Sequence, residues 1–550
     1  MREITESFQA PSISSPAASN SVRAVRRQRW LLLLIFLVMA GLQIALATRQ
    51  PLWVDEIFSV AMATGHSLEH PAATAKPEQG DFVEPNEPVR ASLLNRYTQH
   101  ESPPASPARV IRAVSLSDTS PPLYYLLLYL WTLIFGTNDL IIRLFSIACW
   151  LCCFPLLANV ARRIGGDAAV IPACLFFALS PMALYFSGEA RMYSLLLLCV
   201  MTTVWASLVL QEREGDLKIC TIWILASAAG FLTHYFFLFP WMAVVAFLFL
   251  QPAQLTRQKV LFSMFLVALL ILPWYAFAIR SGPHWRVTQG WLHLRPPEFS
   301  RARALRTDFL QFFSGEVSAP GKFKRISSTA AIALFALLAA TFAWRSRLRM
   351  FDGGRLLLIL WFVVVCAAPT VMDLLQHTYA ANIPRYTLAA LPAAYLLAVL
   401  GLSALPRRTV LILLTLILFC WLIPISNLYR LRARSGEPFR DIAQQVSTSA
   451  SSSDLILVHS IPSGVLGVAR YAGDVVPIAS WVQQLGTHRV PESLLALAAG
   501  RSSIRYVKVH QLAEPAPEED WLRANARISH ETSFPAGRTV DFRPLTSQTF

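Results

Sequence analysis

A polytopic α-helical membrane protein with a small C-terminal extracytoplasmic α/β domain is the fold class this sequence predicts. Three observations carry that prediction. Of 550 residues, 55% are hydrophobic and only 15% charged, with a mean hydropathy of +0.47, too little polar cover for a soluble chain of this length. Apolar runs recur between residues 30 and 425, and arginine clusters separate them. From 426 to 550 the composition becomes that of a soluble domain. The net charge of +15 is carried mostly by arginine, which suits orientation signals on cytoplasmic loops and contact with anionic lipid head groups. No nucleic-acid motif accompanies it, so DNA and RNA are not expected partners.

Residues 1–29 form a cytoplasmic tail, rich in Ser, Ala and Pro over 1–22 and expected to be disordered. The first span, 30–47, follows Arg23, Arg26, Arg27 and Arg29. Basic flanks stay inside, so the residues after it emerge outside. The segment is too long for a removed signal peptide and lacks a small-residue cleavage site. A polar loop occupies 49–120, and its middle, 65–107, mixes Pro, Glu and His without a period, which predicts irregular structure. The apolar run 121–136 is short for a crossing and carries Tyr124, Tyr125, Tyr129 and Trp131. Counting it as a span would put Arg162 and Arg163 outside, so it is placed as a helix in the membrane interface.

Spans then alternate at 144–161, 168–186, 194–210, 219–233, 236–250 and 260–279. A long outer loop, 280–324, leads to a span ending at Arg345, Arg347 and Arg349. Next come 356–372, a span ending at Arg407 and Arg408, and 410–425. That makes about eleven spans and leaves the C-terminus outside. Within 426–550, 454–459 and 504–509 read as buried strands, 440–446 and 521–526 as helices, and 539–542 as an edge strand. The 8 cysteines all lie in apolar segments, so neither a disulfide framework nor a thiolate metal site is expected.

This topology collects polar groups on the outer face. Asp55 and Glu56 follow the first span between Trp53 and Phe58, and Asp118 precedes Pro121 and Pro122. Glu189 and Arg191 lie in the loop at 187–193, His234 in a short turn, and Arg385 with Tyr386 where the last large outer loop re-enters. Each has a plainer reading when taken alone. Acidic residues favour helix N-termini, Asp118 suits a cap, Glu189 suits a pair with Arg191, arginines snorkel, and His234 suits a satisfied turn. Ionisable groups at membrane depth are costly, and their joint placement on one side points to chemistry at the lipid–water boundary.

Four sets of residues resemble one family. They are Asp55-Glu56; Pro121-Pro122-Leu123-Tyr124-Tyr125 with Phe135-Gly136 and Arg143-Leu144; Glu189-Ala190-Arg191-Met192-Tyr193; and Arg385-Tyr386 followed by Leu391-Pro392-Ala393. Together they resemble bacterial family 39 glycosyltransferases, which are similar to protein O-mannosyltransferases and to the aminoarabinose and galacturonic acid transferases of lipid A. The resemblance covers roughly 30–400. It departs from the family where Asp118-Thr119-Ser120-Pro121-Pro122 replaces Asp-x-His-Pro-Pro, and where Gly188 replaces a Gln before Glu-Ala-Arg.

The resemblance implies the GT-C fold and a polyprenyl-phosphate sugar as donor. It also implies transfer, with inversion, to a lipid, glycan or protein of the cell envelope on the outer side of the bacterial cytoplasmic membrane. It leaves the sugar and the acceptor open. An inverting displacement needs a base for the acceptor proton and positive charge for the departing phosphate. The implied catalytic residues are Asp55 and Glu56, with Asp55 as the base. Arg385, Arg191 and Tyr386 would hold the phosphate, because a guanidinium offers a planar fork of donors. Glu189 belongs to a second acidic loop, and Asp118, Tyr124 and His234 would orient or meet the acceptor. Glu56 and Glu189 are the residues that would hold a divalent cation, although nothing in the sequence demands one. The rival class is a lipid-linked-sugar or ion transporter, whose interrupted helices and internal repeats are not visible here.

Overall fold

The computed structural model describes residues 16–70, 74–118, 120–212, 216–251, 257–281, 292–296, 299–314, 322–381, 383–430, 437–448, 450–510, 512, 514–545 and 550. Among them, eight helices are long and apolar enough to cross a membrane, or nine when one bent pair is counted. The first lies in α1 (Pro16–Arg49), whose Leu33, Leu34, Leu37 and Val38 are exposed, as suits a helix that offers its side to lipid. Part of the tail expected to be disordered is thus helical from Pro16, and residues 1–15 lie outside the described set. Ala, Arg and Gln in 17–29 are good helix formers, which lets the span extend backwards.

The bent pair is Asp167–Leu179 with Pro181–Ser187, at 59°. Pro181 cannot donate a helical hydrogen bond, and Ser180 caps the second piece through the Ala183 amide at 3.2 Å. Two of the expected spans fall on the shorter apolar helices Leu217–Phe231 and Tyr235–Leu250. By length and composition the described residues thus hold eight or nine such helices, against the about eleven spans expected. Hydropathy alone misses this, because at about 1.5 Å per residue such helices fall short of a ~30 Å core. Their turn is tight: a Cβ on Gly230 would come within 2.3 Å of the Phe237 ring.

The first loop is ordered where irregularity was expected. Helix α2 (Val54–Ala63) opens it, and a second helix, Pro107–Ser117, closes it, capped by Ser106. Between them, Arg112 grips both oxygens of the buried Asp81 at 2.6 and 2.8 Å, and Arg109 grips Glu101 at 2.6 and 2.9 Å. Such bidentate pairs fix geometry that no hydrophobic period announces. Helix Leu123–Phe135 follows, with Ile134 and Phe135 exposed at its end. The segment 280–324, expected as an outer loop, contains the helix Arg301–Ser314.

The C-terminal domain carries a five-stranded sheet in the order β2-β1-β3-β5-β4. The strands are β1 (Asp454–His459), β2 (Ile478–Trp481), β3 (Ser503–Val509), β4 (Arg527–Phe534) and β5 (Gly537–Arg543). β2, β1 and β3 are parallel, and β5 and β4 are antiparallel additions. Leu455 and Leu457 bury one face of β1 beside Trp481, Tyr506 and Phe542, while Ile456 and Val458 bury the other with Ile442 and Val465. Burial on both faces explains the continuous apolar run. Segment 539–542 lies inside the sheet, and the edge is β4, whose pattern is almost wholly exposed.

The domain is fastened to the membrane part. Arg470 Nε and the Tyr471 hydroxyl both donate to Asp139, at 2.8 and 2.6 Å, and the Leu52 amide donates to the Tyr471 oxygen at 2.8 Å. Val89 of the first loop exchanges two backbone hydrogen bonds with Ile478, at 2.9 and 2.7 Å, and so covers the β2 edge.

Candidate active site

Helix α2 begins at a capped N-terminus. Glu56 is its third residue and reaches back to accept the Trp53 amide at 3.2 Å. Arg143 Nε and Nη2 donate to the two oxygens of Glu56 at 2.9 and 2.5 Å, and both side chains are wholly buried. Arg143 also donates to the carbonyls of Ala47, Gln50 and Pro51. The Ala190 amide donates to Glu56 Oε1 at 2.9 Å, which ties α2 to the turn that carries Arg191.

Asp55, one residue earlier, instead faces a cavity of about 1030 Å³. Arg385 Nη2 lies 3.6 Å and Arg191 Nε 4.0 Å from Asp55 Oδ2. Arg191 Nη2 also pairs with Asp118 Oδ2 at 3.2 Å, and the Tyr125 hydroxyl donates to the same oxygen at 2.7 Å. Burial opposes ionisation of Asp118, but Arg191, the Tyr125 hydroxyl and the Ser120 amide hold its carboxyl below the usual range. The Arg385 guanidinium stands over the rings of Trp53 and Tyr386, at 5.6 and 5.9 Å. The buried Nε of Arg385 and of Arg191 have no hydrogen-bond partner among the described residues. Two guanidiniums with donors to spare, beside one carboxylate, suit an anionic guest.

His234 lines the same cavity. The Phe236 amide donates to its Nδ1 at 3.0 Å, so the ring proton sits on Nε2. Burial pushes its pKa down to about 4; Asp118 opposes the shift, and Arg191 and Arg385 add to it. The imidazole is neutral at neutral pH.

The cavity therefore gathers Asp55, Asp118, Arg191, His234, Arg385 and Tyr386. It does not gather Glu56, whose two oxygens are committed to Arg143 and to backbone amides, leaving it a structural place rather than a catalytic or metal-binding one. Tyr124 is also withdrawn; it is fully buried and its hydroxyl meets Ser146 Oγ at 3.1 Å. Its neighbour Tyr125 makes the contact with Asp118. Glu189 is buried in the turn and accepts the Arg191 amide on its carbonyl at 2.7 Å. No group of three His, Cys, Asp or Glu side chains able to hold a metal occurs among the described residues.

Four ionisable cavity residues escaped the sequence reading: Glu69, His70, His510 and Glu514. Glu69 and His70 lie in the loop taken as irregular, where the Leu68 and Glu69 amides both donate to Ser117 Oγ, next to Asp118. Burial, with Asp118 and Asp55 nearby, holds the Glu69 carboxyl well above the usual range and favours its protonated form. The other two, His510 and Glu514, come from the C-terminal domain. No spacing in the chain relates these residues to Asp55.

The profile of the family described as dolichyl-phosphate-mannose-protein mannosyltransferase matches residues 119–277. Among curated proteins, none matches the sequence significantly. Two solved structures are similar over nearly the whole chain. ArnT from Cupriavidus metallidurans bound to undecaprenyl phosphate aligns with a TM-score of 0.54 and 12% identity, over 94% of this chain and 98% of that one. The apo form of the same protein aligns with a TM-score of 0.53 and 11% identity, over 88% and 96%. This is a multi-span membrane protein with the fold of the GT-C glycosyltransferases.

Proposed function

We propose that the protein is a membrane glycosyltransferase that moves a sugar from a polyprenyl-phosphate donor to a cell-envelope acceptor. The observation that carries this reading is the meeting of Arg191 and Arg385 with Asp55 in one cavity beside the spans. A lipid phosphate whose tail lies in the bilayer sits at this depth. The match to a dolichyl-phosphate-mannose family over 119–277, and the undecaprenyl phosphate bound to ArnT, agree with such a donor.

The chemistry follows from the residues. The acceptor hydroxyl attacks the anomeric carbon, the bond from that carbon to the phosphate oxygen breaks, and the configuration inverts. Asp55 takes the acceptor proton as the new bond forms. Arg385 and Arg191 hold the phosphate and stabilise the charge it gains on leaving. Asp118 fixes Arg191, and Tyr386 and Trp53 flank Arg385. Neutral His234 and protonated Glu69 offer hydrogen-bond donors to sugar hydroxyls. The arginine clusters at 345–349 and 407–408 support a cytoplasmic place for the opposite ends of the spans and a reaction facing outward from a bacterial inner membrane.

Purified protein in liposomes, given radiolabelled polyprenyl-phosphate sugars and an envelope extract, should release polyprenyl phosphate and label an acceptor. Movement of the lipid-linked sugar between leaflets without any transfer would replace this reading with a transporter. Envelope lipid, glycan and protein profiles of a deletion strain would then name the acceptor class.

A further inference from the structure

The C-terminal domain meets the cavity with one end of its sheet. Ile461 and Pro462 follow β1, Val482 and Gln484 follow β2, and His510 follows β3; all five line the cavity. The carboxyl ends of the three parallel strands therefore stand at the cavity wall. The same domain also reaches the backbone that presents Asp55.

Helix α2 starts without a local cap. Leu52, Trp53 and Val54 carry no side-chain oxygen that could take its first amides. Those amides find their partners elsewhere. Trp53 donates to Glu56, as described above. The Leu52 amide donates to the Tyr471 oxygen at 2.8 Å, and the Val54 amide donates to Glu437 Oε2 at 2.9 Å. Tyr471 and Glu437 both belong to the C-terminal domain. The carbonyls of Gln50 and Pro51 are taken by Arg143 of the membrane part. The strip 50–54 is thus held by its carbonyls from one domain and by its amides from the other.

Glu437 is 3% exposed, and both of its oxygens are in use. Its Oε1 lies 2.7 Å from Nδ1 of His510, a cavity residue whose backbone has φ +72°, the left-handed region that non-glycine residues seldom occupy. One carboxyl group therefore joins a cavity wall to the first turn of α2. The Tyr471 hydroxyl is also used twice, since it donates to Asp139 at 2.6 Å. Glu437 and Tyr471 do not themselves line the cavity, so they reach it through the backbone they hold. Trp53 and Asp55 stand on that backbone and both meet Arg385, Asp55 at 3.6 Å and Trp53 beneath the guanidinium at 5.6 Å.

We propose that Glu437 and Tyr471 are positioning residues of the transfer reaction: they hold 52–54 so that Asp55 and Trp53 keep their places at Arg385. The C-terminal domain is then part of the catalytic centre although it supplies no reacting group. Position matters steeply here, because a shift of about 1 Å in a reacting group can cost roughly a hundredfold in rate. Without Glu437 the Val54 amide loses its partner, and the first turn of α2 shifts to satisfy it. A role in fastening alone is separable. Arg470 ties the same domain to Asp139 and to the Thr137 carbonyl, through groups outside 52–54.

The inference rests on the transferase reading, and the experiment separates the two. Full-length wild type, Glu437→Ala, Glu437→Gln, Tyr471→Phe and Arg470→Ala are compared in liposomes for kcat and donor KM. Thermal unfolding and amide deuterium uptake of the peptide 50–58 are read on the same samples and need no transfer. Glu437→Ala should speed uptake in that peptide and lower kcat by roughly tenfold to a hundredfold, with a smaller change in donor KM. Tyr471→Phe, the milder change, should move both readouts the same way. Glu437→Gln keeps an oxygen for the Val54 amide and should restore slow uptake and most of the rate. Arg470→Ala should lower the melting temperature and leave kcat unchanged. Wild-type kcat or unchanged uptake in Glu437→Ala and Tyr471→Phe would sink the positioning role alone, as would an equal loss of kcat in Arg470→Ala. No transfer by wild type would remove the transferase reading and the positioning role together.

Discussion

Two ion-paired regions share the first turn of α2. Glu56 pairs with Arg143 where both side chains are 0% exposed, and every oxygen and most of the guanidinium donors are spent on named partners. Asp55 is 23% exposed and faces two arginines at 3.6 and 4.0 Å, ion pairs longer than a hydrogen bond, with donors on both arginines left over. The first pair is complete, and the second keeps guanidinium nitrogens without a hydrogen-bond partner among the described residues. Successive helical residues point about 100° apart, so one dipeptide can serve a buried frame and an open site at once. The frame also aims the site, because Glu56 holds the Ala190 amide and thereby presents Arg191 to Asp55.

Breaking the frame should do the most harm. Arg143→Ala strands a buried carboxylate and three carbonyls, and such losses typically cost about 3–5 kcal/mol. The variant should fail to accumulate as folded protein, as measured by thermal unfolding in detergent; a stable, inactive variant would instead give Arg143 a part in the chemistry.

Asp55→Asn should leave the melting temperature unchanged and slow transfer by roughly a hundred- to ten-thousandfold. Wild-type turnover would remove Asp55 from the mechanism.

Arg385→Ala should weaken donor binding by about 1.5–3 kcal/mol. Arg385→Lys should recover only part of this, since lysine keeps the charge and loses the fork. Full recovery by lysine would make Arg385 an anchor for its helix. The mildest change is Tyr124→Phe, which removes one buried hydrogen bond worth about 0.5–1.5 kcal/mol and should leave turnover alone. Slower turnover at unchanged stability would return Tyr124 to the site.

The contrast also marks how far the sequence could be read. Asp55, Asp118, Arg191 and Arg385 were legible because alternating apolar spans sort loops by side, and their shared side survives errors in the span count. Which member of Asp55-Glu56 faces the cavity was not legible, because it depends on Arg143, 87 residues away. β1 and β3 announced themselves by burial on both faces. β2 is four residues long and escaped notice, and β5 passed for an edge because its buried Val540 and Phe542 alternate with the half-exposed Asp541. The first loop looked irregular because ion pairs order it, and these leave no period.

The tie between Val54 and Glu437 spans 383 residues. At about 5–20 residues per second, synthesis of the intervening chain takes on the order of tens of seconds. Throughout that interval the first loop waits with the Val54 amide and the Val89 backbone lacking the partners they will have. The cavity is consequently among the last parts of the molecule to be finished. A ribosome that stops short of residue 437 leaves an anchored chain whose cavity lacks the walls that Ile461, Val482 and His510 supply.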